Sequence, residues 1–368
     1  MRAAVTGLGL HLPDTIRDNG AWPSDFREAF ERRGRHEFTD IDASGADEAA
    51  RIVARHVAPE LGDPFMGTVR RRVAASGDTA VFAETRAAEQ ALADAGVDAD
   101  EVDAIVSWAV VPDRLLPTGA NAVAHALGAK RAFGVGMDAG CASPVTQLLF
   151  AASMIESGRA RHVLLTQSHL MTRAFPLGHP ASPNVGDAAT AMVVSASERP
   201  GVLGIHAVTH GEHYESVTWT RGRGADSPWW EAGGPFHLGS HDPDAARQLV
   251  RDTVGIARDT VHEVLAKSRV SIGEICALAS VQPRRWIPAA IAEASGLDPA
   301  LAPDTFVELA HLGGAGVLAN LVEARRRGLL APREDGRALV VLYAQGAGFI
   351  RSAAVIDMAA GASVSSRA

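Results

Sequence analysis

Met137-Asp138-Ala139-Gly140-Cys141-Ala142-Ser143-Pro144-Val145-Thr146-Gln147, running on to Gly158, sets a single cysteine among small residues just ahead of an apolar stretch. Val145, Leu148, Leu149, Ala152 and Ile155 recur at spacings of three and four, so the run after Cys141 is predicted to be a helix that buries one face and stops at Gly158. Cys141 then lies near the helix N-terminus, where unpaired backbone N–H groups and the positive end of the dipole favour thiolate over thiol. Ala139, Gly140 and Ala142 leave room for a substrate to reach the sulfur. Two readings fit these residues: a nucleophile, or a small core cysteine at a crowded strand-to-helix turn, since free Cys is among the most buried residue types.

Composition narrows the class. The chain has 368 residues, 47% hydrophobic and 21% charged, enough for a large core or for two fused half-domains. A net charge of −8 and a pI near 6.0 argue against nucleic acid or an anionic membrane surface as the main partner. No apolar run approaches the roughly 18 to 20 residues of a membrane span, and Met1 to Gly7 reads as a strand rather than a signal peptide, so a cytoplasmic protein is expected. With only Cys141 and Cys276, neither a disulfide framework nor a cysteine-based metal site is available. Cys276, in the apolar run Ile275-Cys276-Ala277-Leu278-Ala279, is expected to be buried and inert.

Outward from the nucleophile stretch, the pattern alternates strands and helices. Strands are expected over 3–10, 102–110, 133–137, 163–167 and 188–195, and helices over 46–58, 78–95 and 119–127. Asp78 or Thr79 caps the start of the 78–95 helix, Gly96 ends it, and its alanines imply close packing. Residues 17–67 carry no evident chemistry and read as an inserted subdomain or entrance flap. The second half repeats the grammar: helices over 244–267, 286–294 and 315–328, and strands over 275–281, 338–343 and 349–356. Two copies of this alternation, residues 1–200 and 201–368, point to stacked sheets with helices between and outside them. Between them, 210–241 sets Trp219, Trp229, Trp230 and Phe236 among Gly and His, a composition expected of a loop lining a substrate pocket.

Four segments in order now carry a resemblance. Asp138-Ala139-Gly140-Cys141-Ala142 with its helix, Val185-Gly186-Asp187-Ala188-Ala189-Thr190-Ala191, Gln345-Gly346-Ala347-Gly348-Phe349, and Gly7-Leu8-Gly9-Leu10-His11-Leu12-Pro13 resemble the ketoacyl-ACP synthase III enzymes of the thiolase superfamily. The match extends over most of the chain apart from 17–67 and the Trp-rich region. The resemblance implies an α/β protein with a five-layered α-β-α-β-α fold of two pseudo-equivalent halves, normally a homodimer. It also implies that Cys141 accepts an acyl group from a thioester, either acyl-ACP or acyl-CoA, with no bound cofactor. The backbone N–H groups of Cys141 and Ala347 would hold the oxyanion.

The family's decarboxylating pair is absent. In ketosynthases of this type a His and an Asn donate to the malonyl carbonyl, since developing charge in a dry site needs such donors. The segment that usually reads Pro-His-Gln-Ala-Asn is Ser280-Val281-Gln282-Pro283-Arg284, with Val281 at the histidine position. In Glu308-Leu309-Ala310-His311-Leu312-Gly313-Gly314-Ala315-Gly316, His311 falls at the asparagine position. This is similar to a branch of the family that transfers acyl groups to hydroxyl acceptors, whose His-Leu-Gly-x-x-Asp motif supplies a base and its orienting carboxylate. Gly316 stands where that Asp would fall, leaving Asp304, Glu308 or a backbone carbonyl to orient His311.

A lone imidazole facing an acyl thioester can take the proton of an attacking alcohol or amine. The expectation is therefore an acyltransferase of secondary metabolism with Cys141 and His311 as catalytic residues and a small-molecule hydroxyl or amine acceptor. Gln282, Trp219, Trp229, Phe236 and Arg284 are expected to contact substrate, Arg284 through the phosphates of CoA or the phosphopantetheine arm. For Gln282 a loop amide satisfied by neighbouring backbone is the better fit to the residues, and for Arg284 a solvated rim fits equally. Asp187 is read as holding a turn. No histidine spacing matches a metal site, and Gly7-Leu8-Gly9 lacks the helix of a dinucleotide fingerprint. Two other classes remain: a carbon–carbon condensing enzyme, and a non-catalytic subunit of a ketosynthase-like heterodimer.

Overall fold

The computed structural model describes residues 1–26, 28, 47–221, 236–239 and 243–365, without the side chains of 216, 220, 221, 236–239, 243–251 and 362–365. In chain order the first half holds β1 (Arg2–His11), β2 (Thr15–Asp18), α1 (Glu48–Val57), β3 (Arg70–Val73), α2 (Ala80–Ala95), β4 (Ala104–Ala109), α3 (Gly119–Leu127), β5 (Phe133–Gly136), α4 (Ser143–Glu156), β6 (His162–Leu170) and β7 (Asp187–Ser197). The second holds β8 (Val202–Thr209), β9 (Thr218–Arg221), β10 (Phe236–Gly239), α5 (Pro243–Ser268), β11 (Ile275–Ser280), α6 (Ile287–Ser295), α7 (Phe306–Leu309), α8 (Ala315–Arg326), β12 (Leu339–Gly346), β13 (Ile350–Asp357) and α9 (Met358–Ser365).

Two sheets repeat one topology. The first runs β1-β7-β6-β4-β5 and the second, read from its far edge, β8-β13-β12-β11. In each, the first two pairings are antiparallel and the next is parallel. Helices α2 and α3 cover the outer face of the first sheet, and α5 and α6 that of the second. Between the sheets lie α4 and α8, each touching strands of both, which gives the five layers α-β-α-β-α. Because α4 faces protein on both sides, Val145, Leu148, Ala151 and Ile155 are all fully buried, worth about 1.5–3 kcal/mol for each large aliphatic side chain.

Local chemistry sets the elements. Thr79 caps α2 by accepting from the Phe82 N–H, and Gly96 ends it in the left-handed conformation. The alanine face of α2 lies so close to β1 that a Cβ on Gly9 would collide with the Ala87 carbonyl, which explains both the alanines and the Gly-x-Gly. Within 17–67, Trp22 donates to Ser182 Oγ at 2.8 Å and lies under the fully buried Arg71 guanidinium, 4.3 Å from the ring centroid. That clamp ties the segment to residues 182–186. Among the described residues no helix is long and apolar enough to cross a membrane.

Candidate active site

The turn between β5 and α4 is held from within. Asp138 Oδ1 accepts from Trp108 Nε1 and from the Gly140 N–H, both at 2.8 Å. Ser143 Oγ donates to the Gly140 carbonyl at 2.7 Å and accepts from the Ala139 N–H at 3.0 Å. Gly140 takes φ +55°, open to glycine without strain, and lifts Cys141 to the mouth of α4. The β12–β13 turn presses against this arrangement from the second half. A Cβ on Gly346 would collide with the Ala139 carbonyl and sit 3.0 Å from Cys141 N, and one on Gly140 would sit 3.0 Å from Ala347 N. The glycine loop and the nucleophile turn are thus in backbone contact.

His311 precedes α8 and is held by three hydrogen bonds from two segments, 184–186 and 282. Its N–H donates to the Asn184 carbonyl at 2.9 Å, and its carbonyl accepts from the Gly186 N–H at 3.1 Å. Its Nδ1 lies 3.0 Å from the Gln282 carbonyl. A carbonyl only accepts, so Nδ1 carries the proton and Nε2 presents its lone pair. That Nε2 stands 3.9 Å from Cys141 Sγ. The buried His169 ring packs edge-on against it at 5.5 Å, its own Nδ1 bonded to the Gly186 carbonyl at 2.8 Å.

Burial dominates the protonation states. It pushes the His311 imidazole down to about 4, with Arg284 adding to the effect against the Gln282 hydrogen bond. It pushes the Cys141 thiol up to about 12, with Asp138 adding to it. The position at the helix N-terminus is expected to favour thiolate, whereas burial and the Asp138 charge push the thiol the other way, so the pair rests as a thiol and a neutral imidazole. Proton transfer from Sγ to Nε2 then has to accompany attack.

Cys141 and His311 open into a cavity of about 520 Å³. Val281 is on its wall, as is Arg284, and Ala347 completes it beside Gly346. Gln282 requires a correction. It is 2% exposed, its Nε2 donates to Asp304 Oδ1 at 2.6 Å, and its Oε1 accepts from Thr305 N at 3.2 Å. A side chain so engaged has no group left for substrate; the residue acts on the site through its backbone carbonyl. Asp304 therefore steadies Gln282 and not the imidazole, and Glu308 pairs with Arg70 on the surface at 3.5 Å. Trp219 packs with Met171, Phe175 and Val185 beside the cavity rather than on its wall. Trp229 and Trp230 lie outside the described residues, and of Phe236 only the backbone, at the start of β10, is described.

Sequence reasoning missed Trp286, Met66 and Asn184, all on the cavity wall. Trp286 directly follows the Arg284-Arg285 pair, and Met66 ends the supposed flap; neither sits in a pattern that marks a pocket. Cys276, expected to be buried, is partly exposed, and its thiol donates to the Leu339 carbonyl at 3.1 Å. Asp187 holds a turn, accepting from Ala74 N at 2.8 Å and Thr172 N at 3.0 Å. Among the described residues no group of three or more His, Cys, Asp or Glu is placed to hold a metal.

Comparison with known proteins agrees with this architecture. Residues 135–211, which contain the nucleophile turn, match the family model for 3-oxoacyl-[acyl-carrier-protein (ACP)] synthase III. The beta-ketoacyl-[acyl-carrier-protein] synthase III of Granulibacter bethesdensis is 29% identical over 97% of this chain and 99% of its own. The 3-oxoacyl-[acyl-carrier-protein] synthase III of Aquifex aeolicus superposes with a TM-score of 0.75 at 23% identity, covering 96% of this chain and 99% of that one. The priming beta-ketosynthase of the R1128 polyketide pathway gives 0.74 at 24% identity, over 97% and 96%. With the duplicated sheets and the cysteine at the head of α4, these likenesses show that the chain shares the fold of the ketoacyl-ACP synthase III structures and resembles that family in sequence, most directly over the nucleophile turn.

Proposed function

We propose that this protein is an acyltransferase that loads an acyl group from an acyl-ACP or acyl-CoA thioester onto Cys141 and passes it to a hydroxyl or amine acceptor in secondary metabolism. The observation that carries the reading is one imidazole, His311, with its lone pair 3.9 Å from Sγ, in a cavity where Val281 gives hydrocarbon. In the first half-reaction Sγ attacks the thioester carbonyl as Nε2 takes the thiol proton. The C–S bond to the donor breaks, and that proton leaves on the departing thiol. In the second, the acceptor oxygen or nitrogen attacks the Cys141 thioester while Nε2 takes its proton; the C–Sγ bond breaks and the proton returns to Sγ.

With a pKa near 4 the imidazole is unprotonated at neutral pH, so its Nε2 is free to take a proton as each attack begins and to hand it on as the leaving group departs. Enolate stabilisation during decarboxylation needs donors, and a neutral imidazole whose only N–H points at Gln282 offers none to the substrate. The oxyanion of either step is assigned to the backbone N–H groups of Cys141 and Ala347, each worth about 3–4 kcal/mol in such a role. Arg284 on the wall suits the phosphates of the donor arm. Carbon–carbon condensation is the second reading, favoured by the names of the relatives.

Intact-mass measurement after incubation with acyl thioesters tests loading, with Cys141→Ala as control. Acyl uptake with no carbon dioxide from malonyl-ACP, followed by discharge to an alcohol or amine, supports the proposal. Carbon dioxide release coupled to a ketoacyl product overturns it in favour of condensation, and absence of uptake leaves a non-catalytic subunit.

A further inference from the structure

The cavity wall is largely hydrocarbon, from Val185, Val217, Val281, Trp286 and Ile287, but it also carries two carboxamides, Gln345, whose Oε1 accepts from the Tyr343 hydroxyl at 2.9 Å, and Asn184. Asn184 is 6% exposed, and its Oδ1 meets no hydrogen-bond partner among the described residues. Its backbone carbonyl accepts the His311 N–H, so the amide is fixed next to the residue that bears the base. The neighbours are fully engaged: Ser182 Oγ donates to the Leu177 carbonyl at 2.9 Å, and the Pro183 carbonyl accepts from Arg71 Nη2 at 2.8 Å. Gln282, the other carboxamide close to His311, is satisfied at both ends. A buried amide oxygen left unpaired in an otherwise well-bonded segment destabilises the free protein, and an apolar side chain of the same shape would not. The unmet oxygen belongs to a side chain on the cavity wall, where the polar group of a ligand can pair with the amide.

We propose that Asn184 reads the acceptor: its carboxamide hydrogen-bonds a second hydroxyl or N–H beside the group that attacks, so the site selects diols, polyols or amino alcohols over simple alcohols of equal size. This rests on heteroatom transfer as proposed above. A site built to hydrogen-bond a substrate group rejects the analogue lacking it far more strongly than an apolar pocket rejects a missing methylene, because its own amide is then stranded. The amides of the donor's pantetheine arm are the other source of the same chemistry, and the two half-reactions separate them.

Cys141 is loaded with whichever of acetyl-, malonyl- and hexanoyl-CoA reacts fastest, and the acyl-enzyme is discharged with trans-1,2-cyclohexanediol or with cyclohexanol. The wild type is expected to discharge to the diol at least about 10-fold faster at equal concentration. Asn184→Leu is expected still to take up one acyl group, to lose that preference through KM rather than kcat, and to melt about 1–2 °C higher in the absence of substrate. Asn184→Ser, which keeps a short polar group, is expected to fall between. An unchanged preference in Asn184→Leu overturns the inference. So does slowed loading with the preference intact, which assigns the amide to the donor arm, and so does a lowered melting point, which makes it part of the fold. If the wild type discharges to neither compound, the transfer reading itself fails. Protection of Cys141 from iodoacetamide by the diol over cyclohexanol, present in wild type and absent in Asn184→Leu, still supports recognition by Asn184; equal protection overturns it.

Discussion

The turns that precede α4 and α8 occupy matching places in the two halves, and they are built on opposite principles. The turn before α4 is bonded mostly within itself: Asp138, Gly140 and Ser143 bond to one another, with Trp108 of β4 joining at Asp138, and the glycine loop adds packing from the second half. The turn before α8 has almost no internal bonding of this kind at His311. Its backbone is clasped by Asn184 and Gly186, and its ring is aimed by Gln282, from segments far away in sequence. A nucleophile needs only a fixed atom with access. A base must be fixed in position, orientation and tautomer, and here two remote segments, 184–186 and 282, provide these.

Substitutions can break that comparison, beginning with the sulfur. Cys141→Ala should abolish acyl uptake by intact mass. His311→Ala should slow transfer by about 10²–10⁴-fold, the usual reach of a general base, while the thiol stays open to alkylation. Gly186→Ala forces a Cβ into the Leu309 carbonyl and so moves the clasp without touching the sulfur. It should cost about 1–3 kcal/mol of stability and lower transfer more than alkylation of Cys141; equal loss of both would sink the idea that the clasp serves the imidazole.

Acid sharpens the same contrast. His311 is lowered to about 4 and His169 to about 3, both mainly by burial, against about 6.5 in the unfolded chain. The unfolded state then binds more protons below pH 6.5, so stability present above that value should be lost as pH falls towards 4 and then 3. The melting temperature should decline across that window. The transfer rate of protein still folded should hold flat down to near pH 4, where Nε2 gains its proton. Asp304→Ala should have the smallest effect: it frees the Gln282 side chain but leaves the carbonyl bonded to His311, so stability should fall by about 1 kcal/mol and the rate by less than about fivefold.

Much of this was legible in the residues, wherever the signal is local. The spacing of Val145, Leu148, Ala152 and Ile155 marked α4, and Thr79 and Gly96 marked the ends of α2. Cys141 and His311 stood out from their motifs. What stayed hidden depends on distant partners. The run Arg70-Arg71-Arg72 shows no apolar pattern that marks an element, yet it forms β3 against β2, with Arg71 buried under Trp22. Strand β8 was missed because, at the edge of its sheet, it is mostly half-exposed and shows little alternation. Asn184 looks like an ordinary loop residue until the cavity is seen. The group that orients His311 could not be chosen in advance among Asp304, Glu308 and a carbonyl, since every residue has a carbonyl and none advertises it.

That last choice bears on how the site can drift under mutation. Since the atom aiming the imidazole is part of the main chain, no exchange of side chain at 282 can erase it, whereas an aspartate in that role would be lost to a single codon change. Vulnerability shifts instead to whatever holds the peptide plane between Gln282 and Pro283 on its heading. Proline restricts the residue before it to extended conformations, so Pro283, which touches no reacting atom in the proposed chemistry, is where a tolerant-looking replacement would let the ring wander.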